Sequence, residues 1–312
     1  MDDFKVFTGN AHPALARAIA DYLGMPLGRA EVFEFANENI FVRILDNVRE
    51  RDTFVVQSIC SPVNKSLVEL LIMIDALKRA SASRITAVIP YYAYGRSDHK
   101  DQPRVPITGR LVADLLTTAG ANRVLTMDLH AAQIQGFFSV PVDELTALTL
   151  LSDYFRKKAI KDLVVVATDI GISKRARDMA ARLDAPLAII EKRRLGNTDK
   201  TEILNVIGDV EGRPALAFDD EILTGGSILN AVDTVLKRGA TEAYICCTHA
   251  LFTPPWSDRI VTSPVKEVVV TDTVPISDGK MLDKITVLPI APLLGEAIHR
   301  IHTGISVGAM FE

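Results

Sequence analysis

The sequence predicts two α/β domains in tandem, each a mainly parallel sheet covered by helices on both faces. Three observations predict it. Short Val- and Ile-rich runs alternate with helical stretches along almost the whole chain. Those apolar runs are continuous, as strands buried on both faces require. The chain also repeats itself: Gly120-Ala121-Asn122-Arg123 precedes Val124–Ala131, and Gly239-Ala240-Thr241-Glu242 precedes Ala243–Ala250, each after a helix opening at Thr108 or Ser227.

In chain order, strand Val6–Thr8 leads to helix Pro13–Leu23, and strand Thr53–Gln57 to helix Lys65–Ala80. Strand Ile85–Ile89 precedes helix Thr108–Ala119, and strand Val124–Met127 precedes helix Leu145–Lys157. The second half opens with strand Leu163–Ala167, whose end carries Asp169 and Gly171 before helix Ser173–Leu183. Strands Ala188–Ile190 and Ala215–Phe218 follow, then helix Ser227–Arg238. Strands Tyr244–Cys247 and Val268–Val270 and helix Leu293–Ile301 complete the series. The economical division is 1–145 and 146–312, the last segment being free to return to the first domain.

Composition bounds the function. A chain of 312 residues that is 48% hydrophobic fills two ordinary cores. Its net charge of −4 favours neither a nucleic-acid surface nor an anionic membrane. No apolar run approaches membrane-spanning length, and the acidic start lacks a signal-peptide core. Cys60, Cys246 and Cys247 outline neither a disulfide framework nor a metal cluster. The expectation is a cytoplasmic protein with reduced thiols.

The most informative stretch is Ala215–Ile228. An apolar run ends in Asp219 and Asp220, and Thr224-Gly225-Gly226-Ser227 then opens a helix. The glycines let backbone approach a ligand, and the first helical amides point at an anion. Carboxylates at a strand end accept from sugar hydroxyls, so one loop suits a phosphorylated sugar. An ordinary turn capped by Ser227 would give the same pattern. The first copy has Pro106-Ile107-Thr108 at the equivalent place, so the halves differ in role.

Other motifs are weaker alone. Tyr91-Tyr92-Ala93-Tyr94-Gly95 runs into Arg96-Ser97-Asp98-His99-Lys100, a mixture suited to a nucleotide, or simply a solvated loop. Asp128-Leu129-His130 closes a strand, and His249 stands at the position equivalent to His130. His130 and Asp169 are suited to share one Mg²⁺ with substrate phosphates, since protein supplies few Mg²⁺ ligands. Glu191-Lys192-Arg193-Arg194 reads as a cationic, flexible loop able to close over a polyphosphate. Neither a G-x-x-x-x-G-K-[ST] phosphate loop nor a protein-kinase signature is present.

Together these segments resemble the ribose-phosphate diphosphokinase (PRPP synthetase) family over essentially the whole length. The resemblance rests on Phe35–Asn39, Gly95–Thr108, Asp128–Phe138, Thr168–Ser173, Glu191–Arg194, Val206–Val210 and Asp219–Ser227. It implies tandem phosphoribosyltransferase-like domains with the active site at an interface. It implies transfer of the diphosphoryl group of ATP to the C1 hydroxyl of ribose 5-phosphate, in a Mg²⁺-dependent homo-oligomer (a hexamer of dimers or smaller). By position, Phe35, Asn37, Glu38, Asn39, Arg96 and Ser97 fall in the ATP site. His130 and Asp169 fall on the metal, and Lys192 and Arg194 on the catalytic loop. Arg194, Asp219, Asp220, Leu223, Thr224, Gly225, Gly226 and Ser227 fall on ribose 5-phosphate.

The chain departs from that pattern where an acid is usual at Asn39 and at Leu223, and a glutamine at Ser97. Gly171-Ile172 replaces a usual glycine pair. An allosteric anion site of phosphate-activated members has Asn47 and Gly308 where serines are usual, while Arg49 and Arg104 remain. Two rival readings are a non-catalytic synthetase-like regulatory subunit and a type I phosphoribosyltransferase.

Overall fold

The computed structural model describes residues 4–194 and 201–311. The chain divides into two compact units. One comprises Met1–Thr146, Thr273–Pro275 and Pro289–Glu312, the other Ala147–Asp272 and Ile276–Leu288.

The first unit begins with β1 (Phe4–Thr8), α1 (Pro13–Tyr22), β2 (Ala30–Glu34), β3 (Ile40–Ile44), β4 (Asp52–Val56) and α2 (Val63–Arg79). It continues with β5 (Arg84–Ile89), α3 (Thr108–Ala119), β6 (Arg123–Met127) and β7 (Val142–Leu145). Among the described residues, β1-β4-β5-β6-β7 form a five-stranded sheet with every adjacent pair parallel. All of β4 is buried, its apolar Phe54-Val55-Val56 following Asp52 and Thr53. The β2–β3 hairpin adds to the expected elements. Among the described residues it pairs only with itself, and Phe33 faces Phe41 in register across it.

The second unit holds α4 (Leu148–Lys158), β8 (Val164–Ala167), α5 (Ser173–Leu183), β9 (Leu187–Arg194), β10 (Thr201–Ile207) and β11 (Pro214–Ile222). After these come α6 (Gly226–Lys237), β12 (Glu242–Ala250), α7 (Trp256–Thr262), β13 (Glu267–Thr271) and β14 (Ile285–Leu288). Its sheet has the order β10-β9-β8-β11-β12-β13-β14, parallel among the described residues except between β10 and β9. The chain steps from β8 outward to β9, then returns to place β11 on the other side of β8. That reversal is the switch point at which open α/β sheets hold ligands, beyond the carboxyl ends of the strands. The strands around it form the core: all four residues of β8 are fully buried, packed with Ala188, Ile190 and Ala231.

Two expectations about this sheet are corrected. The run Glu191–Arg194 is strand, because β9 continues through Arg194 against antiparallel β10, instead of turning into a loop. Asp219 and Asp220 do not stand at a strand end, because β11 runs on to Ile222 alongside β12.

The last helix, α8 (Ala291–Thr303), packs in the first unit against α1. Gly295 permits the approach, since a Cβ there would lie 2.4 Å from Tyr22 Cδ1. Arg84 donates to the Ile301 carbonyl at 3.0 Å, and His302 Nδ1 lies 3.0 Å from Asp52 Oδ2.

Candidate active site

Pairing between β8 and β11 stops at Phe218↔Ala167, whereas β11 and β12 stay paired to Ile222↔Ala250. One side of Asp219 is therefore freed from the ladder at the switch point. Thr168 follows β8 and donates its hydroxyl to Asp219 Oδ2 at 2.6 Å. The other Asp219 oxygen accepts the Asp220 amide at 3.0 Å, and Asp220 Oδ1 accepts the Glu221 amide at 2.9 Å. Asp220 and Glu221 are buried, and Asp219 is partly so. Nearby, Asp169 Oδ1 accepts the Ile172 amide at 3.1 Å, closing the turn that opens α5.

Crowding carboxylates here has an electrostatic consequence. Burial, reinforced by Asp220 and Asp169, pushes the Asp219 carboxyl well above the usual carboxylate range, against the hydrogen bond from Thr168. A group whose pKa is raised by folding weakens the fold once the pH exceeds the unfolded carboxylate range. Asn in its place keeps an acceptor for the Asp220 amide and a polar contact for Thr168 without the charge. Asp219→Asn should raise Tm near neutral pH by about 2–4 °C, the size of a ~1 kcal/mol change in a domain this large. The gain should vanish at acid pH, where wild-type Asp219 takes up its proton. Calorimetry across pH checks this, and a gain that persists in acid would show that charge is not the cause.

The loop after β11 is shaped by Gly225. Its φ is +75°, and a Cβ there would lie 2.4 Å from Trp256 Cε3. Trp256 is fully buried and stacked on Phe252, with ring centroids 4.5 Å apart and planes 3° from parallel. Gly226 is the first residue of α6, so Ser227 lies inside the helix and is not its cap; no side chain caps α6. Its first amides are thus presented as backbone donors beside Thr224 and Ser227, both exposed. Arg259 on α7 donates to the Thr224 carbonyl at 3.2 Å. Leu223 is half-buried, its carbonyl accepting the Thr253 amide at 3.1 Å. Sequence reading names Thr168 only as the first residue of the segment Thr168–Ser173, and does not single out Trp256 or Arg259, which come from a helix that no local motif marks.

In the first unit, Phe35, Asn37, Glu38 and Asn39 form the exposed tip of the β2–β3 hairpin. Phe35 N–H donates to the Asn39 carbonyl at 2.9 Å, Glu38 adopts φ +66°, and Asn37 Oδ1 accepts the Asn39 amide at 3.3 Å. Phe33, Phe35 and Phe41 cluster with centroids 4.9–5.8 Å apart. Arg96 is exposed. Ser97 Oγ accepts the Thr108 amide at 3.1 Å, so this serine also serves the start of α3.

His130 and His249 are equivalent in sequence but not in structure. β6 stops at Met127, where Asp128 takes φ +40°, and His130 lies exposed outside the strand. β12 runs through His249, which is buried and bridged to Asp272. Hence His130 is exposed to solvent where its sequence counterpart is buried.

The side chains of Lys192 and Arg194 lie outside the described residues; their backbone is the end of β9. Among the described residues, no three His, Cys, Asp or Glu side chains gather into a metal cage. Mg²⁺ does not need one, because it keeps waters and takes one or two protein ligands plus substrate phosphates.

A parallel sheet whose switch point carries paired carboxylates, with a glycine turn opening an uncapped helix, defines the phosphosugar-handling class of α/β proteins. Comparison with known proteins narrows the class. The family model described as the N-terminal domain of ribose phosphate pyrophosphokinase matches residues 4–120, and that of the phosphoribosyl synthetase-associated domain matches 195–312. The ribose-phosphate pyrophosphokinase of Caldanaerobacter subterraneus subsp. tengcongensis is 52% identical, covering 99% of this chain and 98% of that protein. That of Clostridium acetobutylicum is 50% identical with the same coverage. The crystal structure of phosphoribosylpyrophosphate synthetase from Mycobacterium smegmatis is 43% identical with a TM-score of 0.92, covering 97% of this chain and 100% of that one. The chain belongs to the ribose-phosphate pyrophosphokinase family and is an enzyme of nucleotide biosynthesis.

Proposed function

We propose that this enzyme moves the diphosphoryl group of ATP onto the C1 hydroxyl of ribose 5-phosphate, giving 5-phosphoribosyl 1-diphosphate and AMP. The observation that carries the reading is the second unit's switch point, where Asp219 lies against Thr168 and the turn Leu223–Ser227 opens a helix without a side-chain cap. Asp219 and Asp220 accept the ribose hydroxyls, and the amides of Gly225, Gly226 and Ser227 take the 5-phosphate. Phe35 with Asn37, Glu38 and Asn39 receives adenosine, and Arg96 and Ser97 receive the nucleotide's polar groups. The C1 oxygen forms a bond to the β-phosphorus as the bond to the α-phosphate oxygen breaks, so catalysis is mostly positioning and charge neutralisation. Lys192 and Arg194 supply positive charge to the transferring group and to departing AMP. His130 and Asp169 would hold Mg²⁺, which when bound offsets phosphate charge. Among the described residues no helix is long and apolar enough to cross a membrane; we place the enzyme in the cytoplasm, as a homo-oligomer.

The test is purified protein with ribose 5-phosphate, ATP and Mg²⁺, read by phosphorus NMR. AMP and the diphosphate product in equal amounts support the assignment. ADP alone would mean ordinary phosphoryl transfer, and pyrophosphate released from added product would mean a phosphoribosyltransferase.

Regulation by inorganic phosphate should be weak. Asn47 spends its side-chain oxygen on the Arg49 amide at 3.1 Å, and Gly308 offers no hydroxyl. Losing one or two hydrogen bonds to an anion weakens its binding by about tenfold or more. A phosphate titration at fixed Mg²⁺ should rise little, and saturating ATP should relieve ADP inhibition. Strong sigmoidal activation would show that backbone amides alone sustain the site.

A further inference from the structure

The most elaborate buried polar group that the proposed chemistry does not use is Glu69, on α2 and only 2% exposed. Its Oε1 accepts the Asn10 backbone amide at 2.6 Å and Gln57 Nε2 at 2.8 Å; its Oε2 accepts Asn10 Nδ2 at 2.9 Å. Asn10 Nδ2 also donates to the Val32 carbonyl in β2, at 3.2 Å. Gln57, fully buried, turns its oxygen to the Ala11 amide at 3.0 Å, and Gly9 leaves room for it, since a Cβ there would meet Gln57 Oε1 at 2.4 Å. One turn earlier on the same face of α2, Lys65 pairs with Glu34 of β2 at 2.6 Å.

A buried carboxylate met by three N–H donors is held by strong, charge-assisted bonds, and every donor is fixed by it in turn. Among the described residues, the hairpin has no strand neighbour in the five-stranded sheet to set its position. What sets it on this side is α2, through Lys65 directly and through Glu69 by way of Asn10. We infer that Glu69 is a positioning residue for the β2–β3 hairpin: through Asn10 it fixes the Val32 carbonyl and thereby the place of Phe33, Phe35 and Phe41. Its link to catalysis rests on the proposed role of the hairpin tip in receiving ATP. Glu69 does not touch substrate, so its loss should act on ATP binding and leave the ribose 5-phosphate side alone.

The experiment compares Glu69→Gln and Asn10→Ala in the full chain. Glu69→Gln puts an amide hydrogen where an acceptor is needed, and KM for ATP should rise about tenfold, the scale of a lost hydrogen bond to a charged group. Asn10→Ala, at an exposed position, removes both the bond to the Glu69 carboxylate and the bond to the Val32 carbonyl, so KM for ATP should rise by about tenfold here too. In both, kcat and KM for ribose 5-phosphate should stay within about twofold of wild type. Amides of residues 30–44 should exchange faster with deuterium. If both KM values rise together, or if ATP KM and hairpin exchange stay as in wild type, the inference is overturned. Should Glu69→Gln fail to fold, Asn10→Ala carries the test alone. Should wild type form no AMP, the proposed reaction fails, while hairpin exchange in the variants still decides whether the Glu69–Asn10 contact holds it.

Discussion

Lys192→Ala should lower kcat by about a hundredfold or more, a loss near 3 kcal/mol, with KM for both substrates changed little. The physical reason is differential binding. On the proposed assignment, ground-state ATP and ribose 5-phosphate are already held by the hairpin tip and the Leu223–Ser227 turn. Charge shifts toward the α-phosphate oxygen only as the diphosphoryl group moves, so a cation placed there contributes mainly in the transition state. Arg194 should behave in the same direction, and the double variant should lose less than the sum if both act on the same charge. Steady-state kinetics with single-turnover AMP release separates the two effects. Near-normal kcat with a raised KM would make Lys192 a ground-state binding residue instead.

The second large effect is expected at Gly225. A methyl group at this position meets two carbons of the Trp256 ring, at 2.4 and 2.7 Å, and must also accept φ +75°. Trp256 has nowhere to go, being fully buried and stacked on Phe252. Overpacking and left-handed strain each cost about 1–3 kcal/mol, so Gly225→Ala should destabilise the second unit by about 2–6 kcal/mol. Because Trp256 is the single tryptophan of the chain, its fluorescence reports the displacement directly. Gly226 is the control. It has no positive φ, and its added Cβ meets the end of the Arg259 side chain at 3.2 Å and Thr224 Oγ1 at an ordinary 3.7 Å. Gly226→Ala should therefore keep Tm and raise KM for ribose 5-phosphate alone, by crowding the anion. If Gly225→Ala melts like wild type, the turn does not rest on Trp256.

That contrast shows where sequence reading stops. The pair Gly225-Gly226 is legible as a place where backbone meets a ligand, but which glycine carries the strain depends on an indole from residue 256. The β2–β3 hairpin could have been read from the β-branched and aromatic runs Val32-Phe33 and Ile40-Phe41-Val42 on either side of Asn37-Glu38-Asn39. The strand through Lys192 and Arg194 was harder, because charged residues at the end of an apolar run look like a loop until β10 is seen to pair with them.

Local periodicity was enough to predict the alternation of helices with strands in mainly parallel sheets, and the Thr224–Ser227 pattern was enough to predict a glycine turn opening a helix. Both follow from short-range spacing and from the backbone freedom of glycine. Only the tertiary structure decided that α8 packs in the first unit, that His130 is exposed while its sequence counterpart His249 is buried, and that Glu69 reaches the hairpin through Asn10. Each of those depends on groups far apart in the chain, whose hydrogen bonds and burial are set by packing and leave no local pattern to read.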